Sequence, residues 1–149
     1  MANPDSLAQQ TAAVIGNYAI ASATAVPLGT TGNAVVALPI LGGGLTAGNS
    51  TSTSGAVIVR RVTIQNPSGN VSTGNVSILS SNDGNTSNAV VAASLLSSLT
   101  AANTFQDMTI SGGNVILNGY TTQALFVKVN TAVTNGTVDI RVYGDTVNF

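Results

Sequence analysis

Apolar and polar positions alternate most regularly near the end of the chain. In ALFVKVN, Leu125, Val127 and Val129 share one face and Phe126 and Lys128 the other. In TVDIRVY, Val138, Ile140 and Val142 lie opposite Asp139, Arg141 and Tyr143. A two-residue period is that of a strand with one buried side, so both segments are expected as strands, with TAVTNG turning the chain between them. Asp139 and Arg141 share a nominal face and are expected to form a cross-strand network with Lys128.

Upstream the pattern is shorter-ranged. Tyr18 to Val26 predicts a strand with Tyr18, Ile20, Ser22, Thr24 and Val26 on one side, ended by Pro27 and Gly29. A second covers Ala34 to Ile40, where Pro39 argues for an edge or a strand end. AVIVRRVTIQ predicts a strand with Ile58, Val62 and Ile64 facing one way and Arg60 interrupting that side; a bulge near Arg60 and Arg61 would return both charges to solvent. NPSG ends it by a turn. Val76 and Ile78 alternate up to a tight turn at Asp83-Gly84. The segment Asn88 to Leu96 follows, and its Ala-rich half, continuing as AASLLSSL, fits a short helix as well as a strand. FQDMTI and NVIL add short strand candidates around Gly112-Gly113. NAVVA occurs at both 33–37 and 88–92, with no further similarity around it and hence no internal repeat.

Strands separated by Gly, Asn, Ser, Thr and Pro, without crossover helices, disfavour a parallel α/β architecture. The expected fold is all-β: a β-sandwich, with jelly-roll connectivity ahead of an immunoglobulin-like one. Residues 1–16 form an N-terminal arm, either extended or a short helix capped by Ser6. Residues 17–149 form a single domain that includes a long Gly/Ser/Thr-rich loop at 41–55.

Composition changes the picture through charge. The 149 residues are 44% hydrophobic, largely small or β-branched, yet only 6% are charged, with a net charge of -1, where an ordinary domain has about 25% charged residues. No charge occurs from Ser6 to Val59. Such a segment can be buried against another protein at little charge-desolvation cost, provided that its amides and hydroxyls find partners. Four basic residues are too few for a phosphate-binding surface, which argues against nucleic acid as a partner. No run reaches 18 apolar residues, so no membrane span is expected, and the N-terminus lacks the pattern of a secretory signal.

The chemistry-bearing residues are sparse. There is no His, Cys or Glu; a serine nucleophile would lack its usual base, no GxSxG elbow is present, and Lys128 is better placed to extend into water than to act as a base. Neither enzyme activity nor a cofactor is expected. SNDGN at 81–85 offers oxygen ligands but not the twelve-residue calcium pattern, and is read as a turn, so no metal is expected. The five Asn-x-Ser/Thr sequons, at Asn49, Asn70, Asn75, Asn85 and Asn135, are explained by turns and β-edges. Arg60 and Arg61 are either solvated or paired with a partner carboxylate. Tyr143 and Phe149 are either lids on their own domain or interface aromatics.

Over Ala56 to Phe149, and most clearly in ALFVKVNTAVTNGTVDIRVYG, the chain resembles the capsid decoration, or cement, proteins of tailed bacteriophages. The resemblance implies a virion protein assembled in the host cytoplasm, bound to the outer capsid surface. It would reinforce contacts between subunits of the major capsid protein, commonly as a homo-oligomer such as a trimer. The candidate contact residues are then Leu7, Val14, Ile15 and Tyr18 of the arm, Leu38, Ile40, Leu41 and Leu45 of the neutral segment, and Arg60, Arg61, Tyr143 and Phe149. The alternatives are a receptor-binding or fibre-associated module, which would need an exposed polar or aromatic pocket, and the principal shell protein of a small virus. An ice-binding surface is disfavoured because no Thr-x-Thr ladder persists.

Overall fold

The computed structural model describes residues 19–31, 35–39, 55–111, 116–118 and 124–148. Short β-branched runs broken by turn-forming residues fold into nine strands, with one 3-10 turn at Thr86–Asn88 among the described residues. The strands are β1 (Ala19–Pro27), β2 (Val35–Pro39), β3 (Gly55–Gln65), β4 (Asn75–Leu79), β5 (Ala89–Leu95), β6 (Phe105–Met108), β7 (Ile116–Asn118), β8 (Ala124–Thr131) and β9 (Thr137–Asn148). All pairings are antiparallel. One sheet runs β1-β9-β3-β6, with β7 also on β3, and the other β2-β8-β4-β5. β6 and β7 lie end to end along the same side of β3, opposite its two halves.

Both sheets contribute to one apolar core. Val57, Val59, Val62, Ile64, Val138, Ile140 and Val142 come from the first, and Leu38, Val76, Ile78, Val90, Val91, Leu125, Val127 and Val129 from the second. The expected all-β fold is therefore present, in an arrangement consistent with a β-sandwich. The alternation expected of β8 and β9 is also present, with all six of their inward apolar residues buried. Fully burying a Val, Leu or Ile contributes roughly 1.5–3 kcal/mol, so this phase outweighs any local preference of the intervening residues.

Several expectations need correction. β8 and β9 are consecutive but lie in different sheets. Their connection is tied to the end of β1, where Leu28 N–H donates to the Gly136 carbonyl (2.8 Å) and Val133 N–H to the Leu28 carbonyl (2.9 Å). Lys128 is thus remote in the fold from Asp139 and Arg141, and the expected network is not formed. Nor does Lys128 simply extend into water: its ammonium donates to the Gly84 carbonyl at 2.8 Å. Lys128 points away from the core, so the 80–88 connection folds over the outer face of this sheet. That cover, and the bond from Asn130 Nδ2 to Ser77 Oγ (2.8 Å), explain why Ser77 and Leu79 are buried along with Val76 and Ile78. The helix alternative for AASLLSSL fails because Ser94 and Leu95 pair with Val76 and Asn75 of β4.

The phases of β1 and β3 are broken by bulges. In β3 the register with β9 shifts between Val59 and Arg61. This brings Val57 and Val59 inward with Val62 and Ile64, and leaves Ile58 half-buried on the other face. In β1 the register shifts twice, between Ala19 and Ala21 and between Ala23 and Val26. Ile20, Ala21 and Val26 are buried while Thr24 is exposed, contrary to strict alternation. Ala25 has a φ of 51°, a left-handed conformation that disfavours residues other than glycine. Its N–H is held by Asp139 Oδ1 at 2.9 Å.

Candidate functional site

The β3 bulge assembles the charged residues that the sequence singled out. An extra residue in one strand lets two successive side chains turn to the same side, and here both Arg60 and Arg61 are exposed, as the bulge reading expected. Each finds a partner on β9. Arg60 Nε donates to Asp145 Oδ2 at 2.9 Å, and the Arg61 guanidinium lies 4.3 Å over the Tyr143 ring. The stretch between those partners is Gly144, which is buried. A Cβ there would run into the Ile58 carbonyl oxygen and meet Ile20 Cδ1 at 3.0 Å, so the close approach of the strands at the bulge requires glycine.

The same outward face continues across three strands. Cα pairing sets Thr63 between Arg141 and Asp107, and Gln65 between Asp139 and Phe105. Thr63 Oγ1 donates to Asp107 Oδ1 at 2.5 Å. Asp139 accepts a second bond from Asn66 Nδ2 at 3.0 Å, and so holds β1 and the end of β3 to β9. Two loop residues, Asn103 and Thr104, complete the rim of an open cleft of about 330 Å³. Phe105, on its edge, is 65% exposed.

Of the candidate contact residues, the structure brings Arg60, Arg61 and Tyr143 together on this face. Their charges and ring meet partners within the chain. Leu38 belongs to the core and is fully buried. Leu7, Val14, Ile15, Tyr18, Ile40, Leu41, Leu45 and Phe149 lie outside the described residues, as do the arm at 1–16 and all of the 41–55 loop except Gly55, where β3 begins. Sequence reasoning did not single out Phe105, Asp107, Thr63 or Gln65. The available signal was Phe105 in the same strand phase as Asp107, opposite the buried Met108.

The SNDGN segment is a turn. Asp83 Oδ1 accepts from Asn85 N–H at 2.9 Å, and both its oxygens accept from Asn88 Nδ2. The Asn85 N–H, joined by the Asn88 and Ser81 side chains, holds the Asp83 carboxyl below its ordinary value against an opposing desolvation effect. Among the described residues no group of three or more Asp, Glu, His or Cys is placed to hold a metal ion. Several sequon asparagines have structural roles: Asn70 accepts from Ser72, Asn85 caps the 3-10 turn, and Asn135 takes a φ of 57°.

Comparison of the chain with protein-family models, with curated proteins and with solved structures gives no match.

Proposed function

We propose that the chain is a structural virion protein: a jelly-roll domain that binds the outer surface of a capsid and strengthens contacts between subunits of the major capsid protein, itself as a homo-oligomer. The observation that carries this reading is the use made of so few charges. Arg60, Arg61, Asp83, Asp107, Lys128, Asp139 and Asp145 each have a partner inside the domain. The long uncharged stretches of sequence are then what the molecule offers a neighbour. Burying them against a protein lattice avoids the several kcal/mol that each unpaired ion would cost, roughly. A modest contact repeated at every lattice junction opposes subunit release.

Strand order supports the jelly roll. With β6 and β7 taken as one interrupted strand, two four-stranded sheets run β1-β9-β3-β6 and β2-β8-β4-β5. The first and last strands are neighbours, and the chain crosses between sheets at most of its connections, as in the paired Greek keys of an eight-stranded jelly roll. That architecture occurs in both viral capsid and lectin domains, and fold alone does not choose between them. The attachment-module reading is favoured by one observation, the open cleft bearing Arg61, Tyr143 and Phe105.

Quantitative mass spectrometry of purified heads tests the capsid reading. The chain is expected at a fixed ratio to the major capsid protein. Deletion of residues 1–16 should lower that ratio while the β-sheet circular dichroism of the variant is retained. Absence of the chain from purified heads contradicts the proposal, and an unchanged ratio after the deletion contradicts the role of the arm.

A further inference from the structure

The outer faces of the two sheets differ. One lies under the 80–88 connection, where Lys128 reaches Gly84. The other carries the cleft on β3, β6 and β9. In a chain with 6% charged residues, this second face gathers Arg61 and Arg141 beside Asp107 and Asp139, together with the amide side chains of Gln65, Asn66 and Asn103. Phe105 leaves 65% of its surface to water at the edge of the cleft, although its neighbours in the sheet are polar.

We infer that this cleft binds a neutral carbohydrate, with one pyranose ring against Phe105. The charge arrangement selects the ligand class. An anion in the cleft would meet Asp107, and a cation would meet Arg61. A neutral polyol uses both signs, its hydroxyls donating to the Asp107 carboxylate and accepting from the Arg61 guanidinium and amide N–H groups. The C–H face of the sugar ring covers the exposed Phe105 ring, removing apolar surface from water. Tyr143 has a different part: with the Arg61 guanidinium over its ring, it fixes the direction of that donor. The Thr63 hydroxyl fixes Asp107 in the same way. Donor and acceptor are thus oriented before the ligand arrives, which lowers the ordering cost of binding. A volume of about 330 Å³ is at the small end of the range of ligand sites, roughly 300–1,000 Å³, and fits a short glycan or the end of a longer one.

The inference rests on the cleft alone and is independent of where the protein resides, so its test uses the full chain in solution. The probes are maltotriose, cellotriose, mannotriose and chitotriose, with a sialylated trisaccharide as the anionic comparison, measured by saturation-transfer NMR. At least one neutral trisaccharide is expected to receive saturation. Phe105→Ala should weaken that binding about tenfold, with an unchanged melting temperature because the ring is exposed. Leu95→Ala, which removes another exposed large apolar side chain outside the cleft, should leave it unaltered. Saturation transfer to none of the neutral sugars, to the sialylated one alone, or equally with Phe105→Ala and the unaltered chain overturns the inference.

Discussion

Gly144 packs against the backbone carbonyl of Ile58, at the point where the register between β3 and β9 shifts by one residue. No side chain fits there, and the two arginines that follow Ile58 and Val59 owe their common exposure to that shift. Gly144→Ala is therefore expected to lower stability by about 1–3 kcal/mol through forced displacement of a packed strand, read as a shift in the urea unfolding midpoint. A midpoint equal to that of the unaltered protein would contradict the close packing.

Arg60→Ala and deletion of Arg60 are both expected to leave a cooperatively folded protein. The ion pair of Arg60 with Asp145 is largely solvent-exposed on the arginine side, and such pairs contribute about 0–1 kcal/mol. Removing the residue removes the bulge but keeps Val57, Val59, Val62 and Ile64 on the core face, because Arg60 is the extra residue of β3 between the pairs Val59–Gly144 and Arg61–Tyr143. Soluble protein with a single cooperative transition for both variants is the expected result in thermal denaturation. An aggregated or non-cooperative deletion variant would contradict Arg60 as the extra residue of the bulge.

Asp139 ties three strands together through Ala25 N–H and the Asn66 amide. Asp139→Ala should cost about 1 kcal/mol, less than is usual for hydrogen bonds to a charged group because both bonds are exposed to water. Ala25→Gly should act in the opposite direction, relieving a left-handed alanine worth roughly 1–2 kcal/mol at some cost in chain entropy. Equilibrium unfolding of the single and double variants checks both signs.

These bulges also mark where the sequence stops being legible. In β8 and β9, alternating Leu, Val and Ile dominate, and the faces follow directly from the residue pattern. In β1 the side chains are small enough for either phase, so the interruptions around Ile20 and Ala25 left no signal in the pattern. The Arg60-Arg61 pair in β3 did leave one, because two charges on adjacent positions cannot both leave the core without a bulge. Carried through the strand, that shift places Val57 rather than Ile58 on the face of Val62 and Ile64. The pairing of β8 with β2 and β4 depends on where the 132–136 turn docks, a tertiary contact with Leu28. The cleft was hidden for a similar reason: Arg61, Tyr143 and Phe105 are far apart in sequence, and β6 gave only a four-residue strand by which to place one of them.

Asp83 supplies a pH test. Its carboxyl is held below the ordinary value of 3.8, chiefly by the Asn85 N–H. A depressed acid contributes stability in full above its unfolded value, and that contribution is lost as pH falls below 3.8 and through the folded value. A carboxyl NMR titration should give a midpoint under 3.8, and Asn88→Ala should raise it part of the way back, because the Asn85 N–H remains. A midpoint at or above 3.8 in the unaltered protein would contradict the turn geometry.

Cryo-electron microscopy of the native particle tests the role in the virion most directly. Copies of this β-domain seated over junctions of the outer head lattice, with uncharged segments of the chain against the major capsid protein, are the predicted result. Copies found solely on the tail, or a head lattice whose outer surface carries none, would contradict it.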